Sequence, residues 1–162
     1  MPVAQEKTQI HPTTLDLTPP ERASALREPE RLMDSIDASL PRRNEDKTDR
    51  SDPVVGRRVY RVPGRCIIQA EEQAVSVSWF PSRDGDPRGG ELQVVIWDGI
   101  IASPRQRPGA GKHASITQTF VFRLTHDRNR GWYWSSEDHP ARCPSSDLAK
   151  VVHGLLPEAG IE

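Results

Sequence analysis

Alternating apolar and polar residues predict a small β-rich domain in the later two-thirds of the chain. In residues 74–80, Val75, Val77 and Trp79 alternate with serines, and residues 115–126 repeat the alternation over a longer run. Successive side chains of a strand point to opposite faces, so both runs predict strands with one buried face. Further β-like runs, separated by turn signals, lie at residues 57–62, 65–70, 91–97 and 132–134.

The run at 115–126 divides its side chains between two faces. The face predicted to be buried carries Ile116, Phe120, Phe122 and Leu124. The opposite face is rich in threonine and includes Arg123, and alternation places Tyr133 of the following strand beside it. A sheet face with Arg, Tyr and Thr is found in small domains that stack single-stranded bases. The alternative is an ordinary solvated face of an antiparallel sheet.

Two amphipathic segments flank these strands. Residues 147–157 repeat apolar side chains at helical spacing and follow two serines, which predicts a serine-capped helix packed on the sheet. An earlier helix is predicted over residues 29–40, because Pro29 suits a first turn and Pro41 ends the run. The apolar stripe of this earlier helix is narrow and consists of Leu32, Met33, Ile36 and Leu40.

The stripe on residues 29–40 has two interpretations. A helix this short is marginal alone in water, so it is predicted to act as a recognition helix that folds in the groove of a partner. The alternative is that it docks on its own domain, where the effective concentration is high.

Together these elements predict an α+β fold. It has a small antiparallel sheet of about four to six strands, one C-terminal helix packed on the sheet, and a long, mostly disordered N-terminal arm with one short helix. The predicted boundaries are 1–52 for the arm and linker, 53–157 for the folded domain and 158–162 for a tail. The four Trp, two Tyr and three Phe residues all lie at or after Tyr60, which puts the predicted core in the second segment.

Composition and charge bear on where the protein is located and on the state of its cysteines. The formal net charge of −1 provides no global attraction to nucleic acid or to an anionic membrane. No run approaches the ~18 apolar residues of a membrane helix, and the N-terminus lacks a secretory apolar segment. These features predict a cytoplasmic protein without membrane association. Cys66 and Cys143 are far apart and show no metal-type spacing, which predicts two free thiols.

Positive charge is concentrated in the loop of residues 103–113. The loop contains Arg105, Arg107, Lys112 and His113 and no acid. It resembles a nucleotide phosphate loop only in part, because Gln106 replaces the first glycine and His113 replaces the magnesium-binding hydroxyl. We therefore expect no nucleotide hydrolysis. The loop remains suited to an anion or a phosphate backbone, and the alternative is a solvated loop.

The acids and imidazoles do not form a recognisable catalytic motif. Asp98-Gly99, flanked by apolar β-formers, predicts a hairpin turn or a bulge that leaves the aspartate within reach of water. A metal site would need Asp98, His126 and His139 to converge, and nothing in their spacing requires it. The sequence predicts no catalytic residue, no metal ligand and no cofactor.

The first predicted function is that of a non-enzymatic binding or accessory protein. It would dock in a larger assembly through its N-terminal arm and its β-rich domain, with another protein as its partner. The alternative is a nucleic-acid-associated protein that uses the 103–113 loop and the sheet face of Arg123 and Tyr133. A small hydrolase or metal-dependent enzyme is the third candidate.

Overall fold

The computed structural model describes residues 17–39, 57–102 and 114–157. Within these ranges seven strands form one antiparallel sheet, in which each strand pairs with the next along the chain. The strands are β1 (Arg58–Val62), β2 (Arg65–Gln69), β3 (Gln73–Phe80), β4 (Glu91–Asp98), β5 (Ser115–Asp127), β6 (Gly131–Ser135) and β7 (Arg142–Cys143). A short 3₁₀ turn, Pro87–Gly89, precedes β4.

Two helices complete the described fold: α1 (Pro19–Ser39) precedes β1, and α2 (Ser145–Gly154) follows β7. The predicted α+β class is confirmed, but the sheet has seven strands rather than the predicted four to six. The additional strand is β7, which has 2 residues and pairs with β6. A strand this short has no periodicity that a sequence could reveal.

Helix α1 begins at Pro19, well before the predicted start at Pro29. The Oγ1 atom of Thr18 accepts a hydrogen bond of 3.3 Å from the backbone N–H of Glu21, which caps the first turn. Pro20 also fits this turn because its missing N–H would have no helical partner there. Pro29 lies inside the helix and removes one backbone hydrogen bond, but its ring is buried, which offsets part of that cost.

The hydrophobic core lies between the two helices and one face of the sheet. On α1, Leu32, Met33 and Ile36 have no exposed surface, and they share one buried cluster with sheet residues such as Trp134. The structure thus has the arrangement in which the stripe docks on its own domain. The fourth residue of the stripe, Leu40, lies outside the described residues. The core therefore includes residues on the N-terminal side of the predicted boundary at residue 52.

Helix α2 contributes Leu148, Ala149, Val152 and Leu156 to the same cluster. The predicted serine cap is wrong. The helix is preceded by Pro144, which has no capping side chain, and Ser145 is the first helical residue. The hydroxyl of Ser145 turns instead toward α1, where it meets a buried carboxylate.

Polar contacts attach α1 to the elements around it. Arg61 of β1 forms ion pairs with Glu30 and Asp34 on the exposed side of α1. At the other helix, the Nε2 atom of His153 lies 2.8 Å from the carbonyl oxygen of Ile36. These contacts fix α1 against both the edge of the sheet and α2.

A β-bulge between β4 and β5 reverses the predicted alternation near the start of β5. The pairing shifts between Ile96 and Trp97, so that Trp97 lies opposite Ile116 and Thr117 is the extra residue. Ile116, predicted to be buried, is instead 56% exposed. One extra residue is enough to move a side chain to the other face of a sheet.

The prediction of a hairpin turn or bulge at Asp98-Gly99 is wrong. Strand β4 ends at Asp98, which pairs directly with Ser115 across a long connection. The dipeptide therefore starts the long loop that joins these two paired strands and is not itself a two-residue turn. Gly99 has φ +118°, and a Cβ atom there would lie 3.0 Å from the Cα of Ala114, so glycine is required. The other part of the prediction is confirmed, because Asp98 is exposed to solvent.

The burial of the α1 stripe predicts a large loss of stability for Leu32→Ala. Removing this fully buried side chain should lower the free energy of unfolding by about 2–5 kcal/mol, because a cavity remains between α1 and the sheet. Leu26→Ala on the same helix is the matched control, since Leu26 is 58% exposed. Urea denaturation measures both. Equal stabilities for the two variants would contradict the packing of α1 in the core.

Candidate binding surface

The helices cover only one face of the sheet. Alternate side chains of each strand point away from the helices, to the opposite face of the sheet, which we call the open face. In strand order the open face consists of Arg58, Tyr60, Val62, Arg65, Ile67, Gln69, Ala74, Ser76, Ser78, Phe80, Glu91, Gln93, Val95, Trp97, Ile116, Thr119, Val121, Arg123, Thr125, Asp127, Tyr133, Ser135 and Arg142.

The middle of the open face is more apolar than a solvated sheet face requires. Ile67 and Val95 flank Ser76 in one row across the strands, and Val121 lies in the next row. At the margins, Phe80 is 49% exposed and Ile116 is 56% exposed. Phe80 and Ile116 lie three rows apart, so they extend the apolar region toward two opposite margins of the face. An apolar surface of this extent is typical of interaction surfaces.

Trp97 adds a large aromatic side chain to this apolar region. Its indole Nε1–H donates a hydrogen bond of 2.9 Å to the Oγ atom of Ser76 on the neighbouring strand. The bond satisfies the polar groups of both residues and fixes the direction of the ring across β3. The surface is thus held in shape before any partner is present.

Charge on the open face is predominantly positive. It carries four exposed arginines, Arg58, Arg65, Arg123 and Arg142. The acids on this face are Glu91, which pairs with Arg123 at 2.9 Å, and Asp127, which accepts a hydrogen bond from the backbone of its own turn. Helix α1, on the other side of the molecule, has five acids and three arginines along its length. The two sides of the described fold therefore differ in charge.

Arg123 and Tyr133 both lie on the open face, as the alternation predicted, and each contacts another member of that face. The side chain of Arg142 donates a hydrogen bond of 2.6 Å to the hydroxyl of Tyr133, and its guanidinium lies 4.9 Å from the centre of the ring. This contact raises the pKa of Arg142 above its usual value. Strand pairing places Arg123 and Arg142 on either side of Ser135, in the row next to Tyr133.

The other predicted anion-binding residues cannot be placed. Arg105, Arg107, Lys112 and His113 lie outside the described residues. The open face instead contains three arginines that sequence reasoning did not select: Arg58, Arg65 and Arg142. Alternation within β1 and β2 could have suggested the first two. Nothing in the sequence marks Arg142, because its strand has 2 residues.

Gln69 shapes one end of the open face and was also missed. Its side-chain amide donates to the carbonyl oxygen of Ala70 at 2.8 Å, and its Oε1 accepts from the backbone N–H groups of Ile101 at 2.9 Å and Ala102 at 3.2 Å. The residue is 7% exposed. It therefore holds the chain leaving β4 against the β2–β3 turn. In the sequence it is marked only as the amide that follows the apolar residues Cys66, Ile67 and Ile68.

A second polar cluster lies on the helical side of the sheet. The carboxylate of Glu28, a residue 7% exposed on α1, accepts hydrogen bonds from the Oγ of Ser145 at 2.7 Å and from Arg31 at 2.9 Å. The Oγ of Ser145 in turn accepts one from the indole of Trp134 at 2.9 Å. Every donor and acceptor named here has a protein partner. The cluster therefore joins α1, α2 and β6 as a structural unit.

An open cleft of about 560 Å³ lies above this cluster. Its walls include Arg31, Arg130 and Ser146, and its floor includes Glu28 and Ser145. In the described part of the chain, no buried side-chain nitrogen or oxygen lacks a hydrogen-bond partner. The floor of the cleft thus presents groups that already bind one another.

The structure does not bring Asp98, His126 and His139 together. Asp98 pairs with Ser115 at the start of β5, whereas His126 is near the end of that strand, about 35 Å away at the usual rise of a strand. The ring of His139 packs edge-on against Phe120 at 4.9 Å. Across residues 17–39, 57–102 and 114–157, no three His, Cys, Asp or Glu side chains are grouped as metal ligands.

The prediction of two free thiols is confirmed. Cys66 is 1% exposed beneath α1, and burial raises the pKa of its thiol to about 11. Cys143 is half-buried, and burial also raises the pKa of its thiol. Both thiols are therefore protonated near neutral pH, when a cysteine is a poor nucleophile.

Comparisons with protein-family models, with curated proteins and with solved structures found no match to this chain. Neither of the described helices is both long and apolar enough to cross a membrane. The geometry of the described residues is therefore the basis for a functional assignment.

The Glu28 cluster predicts a specific effect of Ser145→Ala. The substitution leaves the buried carboxylate without its closest donor and the indole of Trp134 without its acceptor. The free energy of unfolding should fall by about 1–3 kcal/mol. Ser146→Ala, at the exposed neighbouring position, should change it by less than about 0.5 kcal/mol. Urea denaturation that gives the same value for both variants would contradict the structural role of the cluster.

The buried thiol of Cys66 predicts a loss of stability in alkali. Its pKa of about 11 in the folded protein exceeds that of an unfolded cysteine, about 8.5. The thiol therefore contributes stability that is complete below the unfolded pKa and is lost as the pH rises toward 11. Between pH 8 and pH 11 this loss should amount to about 2–3 kcal/mol. Cys66→Ala should show a flatter pH dependence than wild type, whereas Cys143→Ala should keep most of it.

Proposed function

We propose that this chain is a non-enzymatic binding protein whose open face binds an anionic macromolecule. The observation that carries the proposal is the composition of that face: four exposed arginines lie across it beside apolar side chains, of which Phe80 and Ile116 are exposed to solvent. Apolar side chains provide the area that drives association, and the arginines select for negative charge and speed up encounter.

The architecture supports a division between scaffold and binding surface. Both helices and the main buried cluster lie on one side, so the exposed arginines of the other side can be replaced without removing a member of that cluster. The surface is also preorganised, because it lies on paired strands and Trp97 is held by its bond to Ser76. A rigid surface loses little conformational entropy on binding.

This proposal keeps the class of function predicted first and changes the binding element. Leu32, Met33 and Ile36 are buried in the core, so a partner could reach them only if α1 left the sheet. The open face needs no such rearrangement. Docking in a larger assembly would then use the sheet, with α1 as part of the scaffold that supports it.

Salt elution from a sulfated polysaccharide matrix tests whether the open face is the anion-binding surface. The variant Arg65→Gln, Arg123→Gln, Arg142→Gln should elute at clearly lower salt than wild type, because fewer counterions are released on binding. The matched control is Arg27→Gln, Arg83→Gln, Arg130→Gln, which removes the same charge at three exposed positions outside the open face, with Arg130 at the cleft on the helical side. Equal shifts for the two triple variants would show that only net charge matters, and the proposal would fail.

A further inference from the structure

We infer that the ligand of the open face is single-stranded nucleic acid. This inference rests on the proposed binding function and names the partner class. It is carried by one juxtaposition: in strand order across the sheet, the four arginines alternate with three aromatic side chains along one path.

The arginines mark out the path from one edge of the sheet to the other. Arg58 lies on β1, Arg65 on β2, Arg123 on β5 and Arg142 on β7. From Arg58 to Arg123 the path also moves along the strand axis, since Arg58 is opposite Gln69, four residues beyond Arg65, and Arg123 lies one row beyond Arg65 on the other side. Its last step runs straight across the strands, because Arg123 and Arg142 flank Ser135 in one row. With strands about 4.8 Å apart and about 3.4 Å per residue, consecutive arginines are separated by about 10–16 Å, and the two ends of the path are about 35 Å apart.

An aromatic ring lies between each consecutive pair of arginines. Tyr60 follows Arg58 by two residues on β1 and is one strand away from Arg65. Phe80 lies two residues beyond Ser78, the partner of Arg65. It is therefore about 8 Å from Arg65 in the plane of the sheet, at the usual strand spacings. It is also two strands from Arg123 in the row that contains Glu91.

The last interval of the path has the most direct geometry. Tyr133 lies one strand from both Arg123 and Arg142, in the adjacent row. The guanidinium of Arg142 already stacks on its ring, with the Cζ atom 4.9 Å from the ring centre. Arginine and tyrosine in such an arrangement present a flat surface on which a base can stack.

Alternation of cation and ring matches the chemistry of a single strand. Its phosphates repeat along the backbone, and its unpaired bases are free to stack on aromatic side chains. An acidic peptide would use the arginines and leave the rings without a matching group. A duplex keeps its bases stacked inside, so it would likewise meet the phosphate-binding groups alone. The path therefore favours a single-stranded ligand.

Fluorescence anisotropy of the full chain tests the inference with three probes at low salt. The probes are a labelled 20-residue oligothymidylate, a duplex of equal length and a poly-glutamate peptide of equal charge. We expect the single strand to bind at least about tenfold more tightly than the other two, with an affinity that falls steeply as salt rises. Equal or tighter binding of the peptide or the duplex would overturn the inference.

Substitution of a ring separates stacking from charge. Phe80→Ala should weaken single-strand binding by at least about fivefold, because each stacked base contributes to affinity without regard to sequence. Ile116→Ala is the matched control, since Ile116 is an exposed apolar residue of the same face that lies off the path. Circular dichroism confirms that both variants are folded. An unchanged affinity for Phe80→Ala would overturn the stacking role.

The two proposals fail in distinguishable ways. If the single strand does not bind at low salt while the polysaccharide matrix still distinguishes the two triple arginine variants, the nucleic-acid inference is overturned and the anion-binding function stands. If the matrix does not distinguish them either, the proposed function is overturned as well.

Discussion

The buried carboxylate of Glu28 is the contact on which the arrangement of this fold depends. It lies on a helix that precedes the first strand, and it accepts a hydrogen bond from Ser145, a residue 117 positions later in the chain. A charge removed from water is costly unless donors replace the lost hydration, and in the position that α1 takes Ser145 and Arg31 supply those donors. In that position Leu32, Met33 and Ile36 close over the sheet, and the indole of Trp134 joins the same network.

Closing one face of the sheet leaves the other available for binding. Both helices contribute to the single buried cluster, and the polar contacts of α1 reach the sheet edge through Arg61 and α2 through His153. The open face packs against neither helix. Its side chains can therefore include arginines and exposed rings that would destabilise a core. One small sheet thus has a core on one face and a charged surface on the other.

Sequence patterns predicted the positions of the strands well but predicted the register between strands and the start of α1 poorly. Alternation in residues 74–80 and 115–126 correctly identified β3 and β5, and it placed Arg123 and Tyr133 on the same face. It failed at Ile116, because one extra residue in β5 shifts the register against β4. The predicted start of α1 was also wrong. Pro29 suggested a first turn, whereas the structure has its buried ring inside the helix.

The sequence by itself determined the strand segments, the amphipathic stripes and the absence of a phosphate-loop pattern, because each of these depends on residues within a few positions of one another. Only the tertiary structure decided that the α1 stripe packs on its own sheet, that Asp98-Gly99 opens a loop, and that Arg142 joins the open face. Each of these outcomes depends on partners far away in the chain. A side chain's own periodicity assigns it to one face or the other, but the register between strands decides which side chains share a row.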